Sequence, residues 1–395
     1  MINMKNKKCK LGRNKRKTIK INTLAIIIIF LYISKSYNVV SRILQKKSAI
    51  QYIQKLMENQ LNNSDYFVGF NTNPNLSIII PLYNCQNSIR RSIFSVQAQN
   101  FKNYEIILIN DYSNDNTSLI VNELIEKDKR IKIINNKKNM GILYSRSIGA
   151  LRAKGKYILS LDNDDIYYDQ NLFYKIFNVA ESKNYDIVEF KCFDIKKYST
   201  QIKLSEIRDS AFNNHPENLT LKQPELGIFP ISKGEKYYSN DYHIWGKYIK
   251  TNIYQKAVNI LTEKNYSFYN CWTEDISILF IIMNIAKTFI FVGLYGIIHL
   301  DFQQTTTYTL HYSKKLMSEL FLLDIILKYI QNIETNKKYI LQKLCKILKS
   351  KYMHFLNMEH KKYLKIIMEK ILQIKSLTFT EQQSIIKYQN KFNIK

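Results

Sequence analysis

The residues with the most chemical potential lie in one short run. Asp162-Asn163-Asp164-Asp165 closes the apolar stretch Tyr157-Ile-Leu-Ser-Leu161, so three carboxylates occupy four positions. A β-branched and aromatic run of this kind reads as a buried strand that delivers its acids to a sheet edge. Carboxylates packed so closely repel one another and are costly to keep ionised unless a cation sits among them. Hard oxygen ligands favour Mg2+ or Mn2+. Asp162 and Asp164 alternate with Asn163, so both can turn toward one ion. The competing reading is a strand followed by an acidic turn, because D-x-D spacing alone is weakly specific. A second acidic pair, Glu274-Asp275, follows Tyr269-Asn-Cys-Trp-Thr273 and precedes the apolar helical pattern Ile276 to Ile285. It reads as a helix N-terminus, where the dipole favours acids, or as a base for a hydroxyl nucleophile.

The elements that must position these acids alternate regularly. Leu76-Ser-Ile-Ile-Ile-Pro81 predicts a central parallel strand ended by proline, and Ser88 a cap for a helix whose Ile89, Ile93 and Val96 share one face. Strands follow at Tyr104 to Ile109, Ile131 to Ile134 and Tyr157 to Leu161, separated by helices at about Thr117 to Lys129 and Leu143 to Ala153. This alternation predicts an α/β fold, a parallel sheet with helices on both faces. Ligands of such sheets bind beyond the carboxyl ends of the strands. There the first strand offers Pro81, Tyr83 and Asn84, the second Asn110 and Asp111, and the last the acidic run. An aromatic ring can lie against a nucleobase, and a carboxylate can accept from a base imide or a ribose hydroxyl.

In order and spacing, Ser77-Ile-Ile-Ile-Pro-Leu-Tyr-Asn84, Ile109-Asn-Asp-Tyr-Ser-Asn-Asp115, Asn139-Met-Gly-Ile-Leu-Tyr-Ser-Arg146 and Ser160-Leu-Asp-Asn-Asp-Asp165 resemble the successive signatures of family 2 glycosyltransferases. The resemblance implies a GT-A fold, a nucleoside-diphosphate sugar donor, commonly a UDP-sugar, and Mn2+ or Mg2+. It implies that Pro81, Tyr83 and Asp111 hold the nucleoside and that Arg146 supports the nucleotide loops. Asp162 and Asn163 would then meet the donor, and Asp162 and Asp164 the metal. Asn110 stands where the family commonly has an acid. Glu274-Asp275 resembles the acceptor-side motif of one branch, which implies Asp275 as general base, Glu274 as second choice, and inversion at the anomeric carbon. Ile244-Trp245-Gly-Lys247-Tyr248 resembles the segment preceding that motif. Trp245 would stack on an acceptor sugar and Lys247 meet a phosphate, although burial of the indole is an equal reading. His299 is a candidate late metal ligand, with a structural histidine as the alternative.

Around this centre the chain carries a formal net charge of +27, which points to an anionic partner without choosing one. Nucleic acid is not expected, because there is no recognisable basic or stacking motif for it. Nine Lys and Arg residues precede the apolar run Leu24 to Ile33, which is shorter than the ~20 residues of a usual span but extendable from Ile19 to Val40 by snorkelling Lys20 and Lys35. The positive-inside rule then predicts a single-pass type II anchor, with the catalytic part in a Golgi or ER lumen; a cleaved signal peptide is the alternative. Cys9, Cys85, Cys192, Cys271 and Cys345 are too scattered for a disulfide scaffold or a zinc site. The expected organisation is a basic tail (1–20), an anchor (21–40), a stem (41–74), a donor half (75–200), an acceptor half (201–312) and a basic helical extension (313–395) that packs through stripes such as Leu316, Leu320, Leu323, Ile326, Leu327 and Ile330. Glycan or glycoconjugate is the expected acceptor; no motif identifies it.

Overall fold

A computed structural model of the chain describes residues 39–55, 73–195, 204–209, 218–222, 231–233, 236–238, 243–262, 274–300, 312–329, 358–375 and 377–391, with positions 341, 344–345 and 348–349. The basic tail and the apolar run Leu24 to Ile33 lie outside the described residues, as does most of the stretch between 196 and 242. Among the described residues no helix is long and apolar enough to cross a membrane. The chain divides into a unit ending at Ala49, of which residues 39–49 are helical, and a unit from Ile50 to Lys395.

The second unit is organised by a sheet whose first strands follow the apolar runs. They are β1 (Leu76–Leu82), β2 (Tyr104–Asn110), β3 (Ile131–Asn135) and β4 (Tyr157–Ser160), all parallel in the order β3-β2-β1-β4. Every residue of β1 and β2 is buried because helices cover both faces, so neither strand needs polar alternation. Crossovers α1 (Ile89–Gln97), α2 (Thr117–Lys127) and α3 (Ile142–Arg152) connect them. Ile78 and Ile80 share one core with Ile89, Ile93 and Val121, whereas Ile79 packs with Leu143 and Ala150 in another. Successive residues of one strand thus serve opposite layers. Ser88 does sit at the N-cap of α1, but its hydroxyl makes no cap bond and instead donates back to the Cys85 carbonyl at 3.3 Å.

The later strands are β5 (Ile166–Tyr167), β6 (Ile187–Ile195), β7 (Ile207–Asp209), β8 (Thr220–Lys222), the hairpin β9 (Ile231–Lys233) and β10 (Lys236–Tyr238), β11 (Lys247–Lys250) and β12 (Thr288–Leu300). They extend the sheet as β4-β11-β6-β12-β5. The sheet is mostly parallel, as the GT-A resemblance implies, with antiparallel pairing at β11, which runs against β4 on one side and β6 on the other, and where β12 meets β5 and β8 and β6 meets β7. Helix α4 (Leu172–Ser182) leads to β6, α5 (Thr251–Thr262) follows β11, and α6 (Glu274–Ile285) leads to β12.

One polar knot ties the early strands. Glu105 on β2 accepts from the Ser77 hydroxyl (2.7 Å), the Lys154 amide (2.7 Å) and the Lys132 ammonium (2.6 Å), and Ser77 in turn accepts from the Gly155 amide (2.8 Å). Further along, α7 (Tyr312–Tyr329), α8 (Met358–Leu372) and α9 (Phe379–Lys391) complete the described chain. Of the expected stripe, Leu320, Leu323 and Ile326 are buried and Leu327 is half-buried, and burial of α7 extends around the helix to Phe321, Leu322 and Ile325. It packs against α6 and α8 in the core that also holds Ile244, Ile249 and Phe289. Asp324 of α7 is buried and accepts from Lys370 of α8 at 2.5 Å.

Candidate active site

The loops leaving β1 and β2 are laced to one another. The Asn84 amide donates to Ser113 Oγ (3.1 Å), the Asn114 amide to Asn84 Oδ1 (2.9 Å), and the Asp111 amide to the Leu82 carbonyl (2.8 Å). Tyr83 stands exposed on this edge while Pro81 is buried within β1. Asn110 uses its amide nitrogen to donate to Ser118 Oγ and Asn135 Oδ1, both at 3.0 Å, a role no carboxylate could fill. Asp111 is buried and accepts from Asn136 Nδ2 (2.7 Å) and from the amides of Met140 and Gly141 (both 2.8 Å). Both its oxygens therefore hold the loop that turns into α3, where Gly141 adopts φ 87°.

The acidic turn after β4 is pinned from below. Asn163 donates to the Pro81 carbonyl (2.9 Å), while Ser92 and Arg91 of α1 donate to the carbonyls of Asn163 (2.8 Å) and Asp164 (3.1 Å). Asp165, which the sequence did not single out, is the fully buried member. It accepts from the Leu300 amide and from His299 Nδ1, each at 3.0 Å. Asp165 pushes the His299 imidazole up to about 10, against the opposing effect of burial, so the ring is a cation at neutral pH. The structure thus places His299 against a carboxylate through Nδ1. Asp164 remains half-exposed, and burial followed by repulsion from Asp165 and Asp162 pushes its carboxyl up to about 7.

Arg146 of α3 unites the two acidic motifs. Its buried guanidinium donates to Asp162 at 2.5 Å and to Asp275, and lies 3.6 Å from Glu274. Burial alone would weaken this cation, but the three acids more than compensate and hold it firmly protonated. The acids diverge in consequence. Burial and then the Asp275 charge push Glu274 up to about 8, and its Oε2 is buried without a hydrogen-bond partner. Asp275 is raised by burial, yet Arg146, His243 and the Ile244 amide (3.3 Å) outweigh that and hold it below the usual carboxylate range. Two adjacent carboxyls separated in this way, one neutral and one ionised, is the pattern by which acid and base roles are divided. Asp162 is raised, by burial first, with Arg146 opposing.

Trp245 and Lys247 occupy the interior and not an open surface. Trp245 is 2% exposed and stacks with His243 (centroids 4.5 Å, 17°) and His299 (5.5 Å, 15°). Lys247, 1% exposed, donates to the His243 carbonyl at 2.8 Å and lies 3.6 Å from Glu189.

Among the described residues no group of three or more His, Cys, Asp or Glu converges to hold a metal unaided. The crowding that raises Asp164 nevertheless fits a divalent ion, since Mg2+ is commonly held by one or two carboxylates with the rest of its shell from substrate phosphates and water. Asp164 would supply the main ligand and Asp162 a second oxygen.

Known proteins resemble this chain in sequence and in fold. The family model described as glycosyl transferase family 2 matches residues 77–240. An uncharacterised glycosyltransferase of Haemophilus influenzae is 40% identical over 99 residues, 25% of this chain and 40% of that protein. One of Rickettsia prowazekii is 30% identical over 198 residues, 45% of this chain and 60% of that one, so the chain spans less than two thirds of either relative. The fold matches the crystal structure of Staphylococcus aureus TarS 1-349 in complex with UDP-GlcNAc, with a TM-score of 0.57 at 14% identity over 81% of this chain and 88% of that one. Residues 77–240 of this chain are thus similar in sequence to glycosyltransferase family 2, and the fold is that of the TarS structure.

Proposed function

We propose that the chain transfers a sugar, with inversion, from a nucleoside-diphosphate sugar to a hydroxyl of a glycan or glycoconjugate. The observation that carries this reading is the single guanidinium of Arg146, which gathers the acid at the end of β4 and the acids at the start of α6 into one pocket. The donor side is the edge bordered by Tyr83, Asp111 and the Asp162–Asp165 turn, and UDP is favoured by the UDP-GlcNAc complex of the TarS neighbour. When bound, a divalent ion supplies Lewis-acid stabilisation of the departing diphosphate. Asp275, ionised and next to the pocket, takes the proton of the attacking hydroxyl. Arg146 orients that carboxylate and neutralises the pocket's acids. The hydroxyl oxygen attacks the anomeric carbon from the side opposite the diphosphate, the bond from that carbon to the diphosphate breaks as the nucleoside diphosphate leaves, and the anomeric configuration is inverted. Anchoring by the run Leu24 to Ile33 rests on the sequence alone.

The test is a thermal-shift screen of UDP, UDP-GlcNAc, UDP-glucose and GDP-mannose with and without Mn2+, followed by nucleotide release. A ligand at a hundredfold excess over its Kd stabilises by about 2.7 kcal/mol, a readily measured shift. UDP with Mn2+ is expected to stabilise the wild type and not Asp164→Ala, and Asp275→Asn to bind UDP normally while losing at least about a hundredfold in turnover. Full turnover in both variants would remove the site assignment. Binding without turnover of any donor would instead identify a sugar-nucleotide binding protein.

A further inference from the structure

Three side chains around Asp275 are left without a role by this reading. His243, Trp245 and Lys247 precede or enter β11; His243 faces the carboxylate, and Trp245 and Lys247 hold His243 in place. Asp275 Oδ2 faces the Ile244 amide at 3.3 Å and His243 Nδ1 at 3.8 Å, while Oδ1 faces Arg146. The imidazole is held against the Trp245 indole, nearly parallel at 4.5 Å. The peptide carrying it is fixed by the buried Lys247 ammonium, which donates to the His243 carbonyl at 2.8 Å and lies 3.6 Å from Glu189 of β6. His243 itself keeps about a third of its side chain exposed, so the bracket has a rigid base in the core and one accessible arm at the pocket.

We propose that His243 is a positioning residue for Asp275, held by the Trp245 ring and the Lys247 ammonium, and that this bracket, not acceptor contact, is the work of the tryptophan-lysine segment. The inference rests on Asp275 being the base. A carboxylate at the first turn of a helix can rotate about its side-chain bonds. With Arg146 on one oxygen and the Ile244 amide and the imidazole beside the other, the plane of the carboxylate is constrained from both sides. Loss of the imidazole donor leaves the donor-side loops untouched, so the effect belongs in turnover and not in nucleotide binding.

The experiment compares His243→Phe, which preserves the ring stack without a donor, with His243→Asn, whose amide nitrogen reaches the place of Nδ1. The readout is UDP release from UDP-GlcNAc, UDP-glucose and UDP-galactose with Mn2+, together with UDP binding and melting temperature. The phenylalanine variant is expected to fold, to keep its KM within twofold and to lose about tenfold in kcat, within the order of effect of a misplaced reacting group. The asparagine variant is expected to recover at least a third of wild-type kcat. A phenylalanine variant with wild-type kcat, one whose loss lies in KM, or an asparagine variant as slow as the phenylalanine one would overturn the proposal. Asp275→Asn separates the two layers. If it is inactive while His243→Phe is not impaired, only the bracket falls; if it turns over, or if the wild type releases no UDP from any of the three donors, the base assignment falls and the bracket with it.

Discussion

At Arg146, one buried cation serves acids drawn from two distant stretches, yet burial and the Asp275 charge outweigh it at the neighbouring Glu274, which is left largely neutral. That neutrality has a measurable sign. A carboxyl raised from the ordinary 4.5 to about 8 stays protonated in the folded chain while it ionises in the unfolded one. The unfolded state therefore binds fewer protons over this window, and the group's contribution to stability is lost as pH rises from about 4.5 to 8, by at most about 1.4 kcal/mol per unit. Asp275, held low, contributes in the opposite sense, losing stability only as pH falls through the acid range. Glu274→Gln is accordingly expected to gain on the wild type progressively from pH 5 to pH 8 in urea denaturation; a difference flat in pH would contradict the assignment. At this scale the sequence was partly legible. The acids at 162, 164, 274 and 275 announced themselves by their spacing after apolar runs. Asp165 carried the same signal as the third acid of its run, but its partner His299 lies 134 residues away, and no local pattern encodes such a pairing. Asp111 was read as a nucleoside contact, whereas the donors that occupy it, Asn136, Met140 and Gly141, come from a loop whose path depends on tertiary structure.

The elements were more legible than the contacts between them. Continuous apolar strands with helical repeats between them give β1 through β4 nearly to the residue, because burial on both faces leaves one consistent pattern. β11 escaped because it is four residues long, begins and ends with lysine, and owes its state to two strands elsewhere in the chain. The junction before β4 supplies a test of how tightly the early strands are drawn together. A Cβ on Gly155 would stand 2.5 Å from the Ser77 nitrogen and 2.6 Å from the Leu76 carbonyl carbon, both backbone atoms that cannot swing aside. Gly155→Ala is expected to cost about 1–3 kcal/mol or somewhat more. It should lower the urea midpoint without changing the slope, and an unchanged midpoint would show that the strand can shift.

Across the whole molecule, the described helices after residue 312 share the core that α5 and α6 form beside the sheet. Met317, Leu320, Leu323 and Ile326 of α7 and Leu364, Ile367 and Met368 of α8 pack in one cluster with Ile278, Ile281 and Ile282 of α6. α6 carries Asp275 at its first turn, so the proposed base depends on these helices for its support. Truncation after Leu300 is expected to abolish the cooperative urea transition and near-ultraviolet dichroism together; a truncated protein that still melts sharply would show the extension to be an appendage. The place of β11 has a consequence for how the chain is made. It fills the middle of the sheet, between β4 and β6, yet it leaves the ribosome well after both. Until Lys250 has emerged, the nascent chain carries two strands with no neighbour on their facing sides, the kind of edge that recruits other chains. Vectorial, strand-by-strand assembly is therefore closed to this protein, and its yield in cells should depend on whatever holds that gap apart until synthesis catches up.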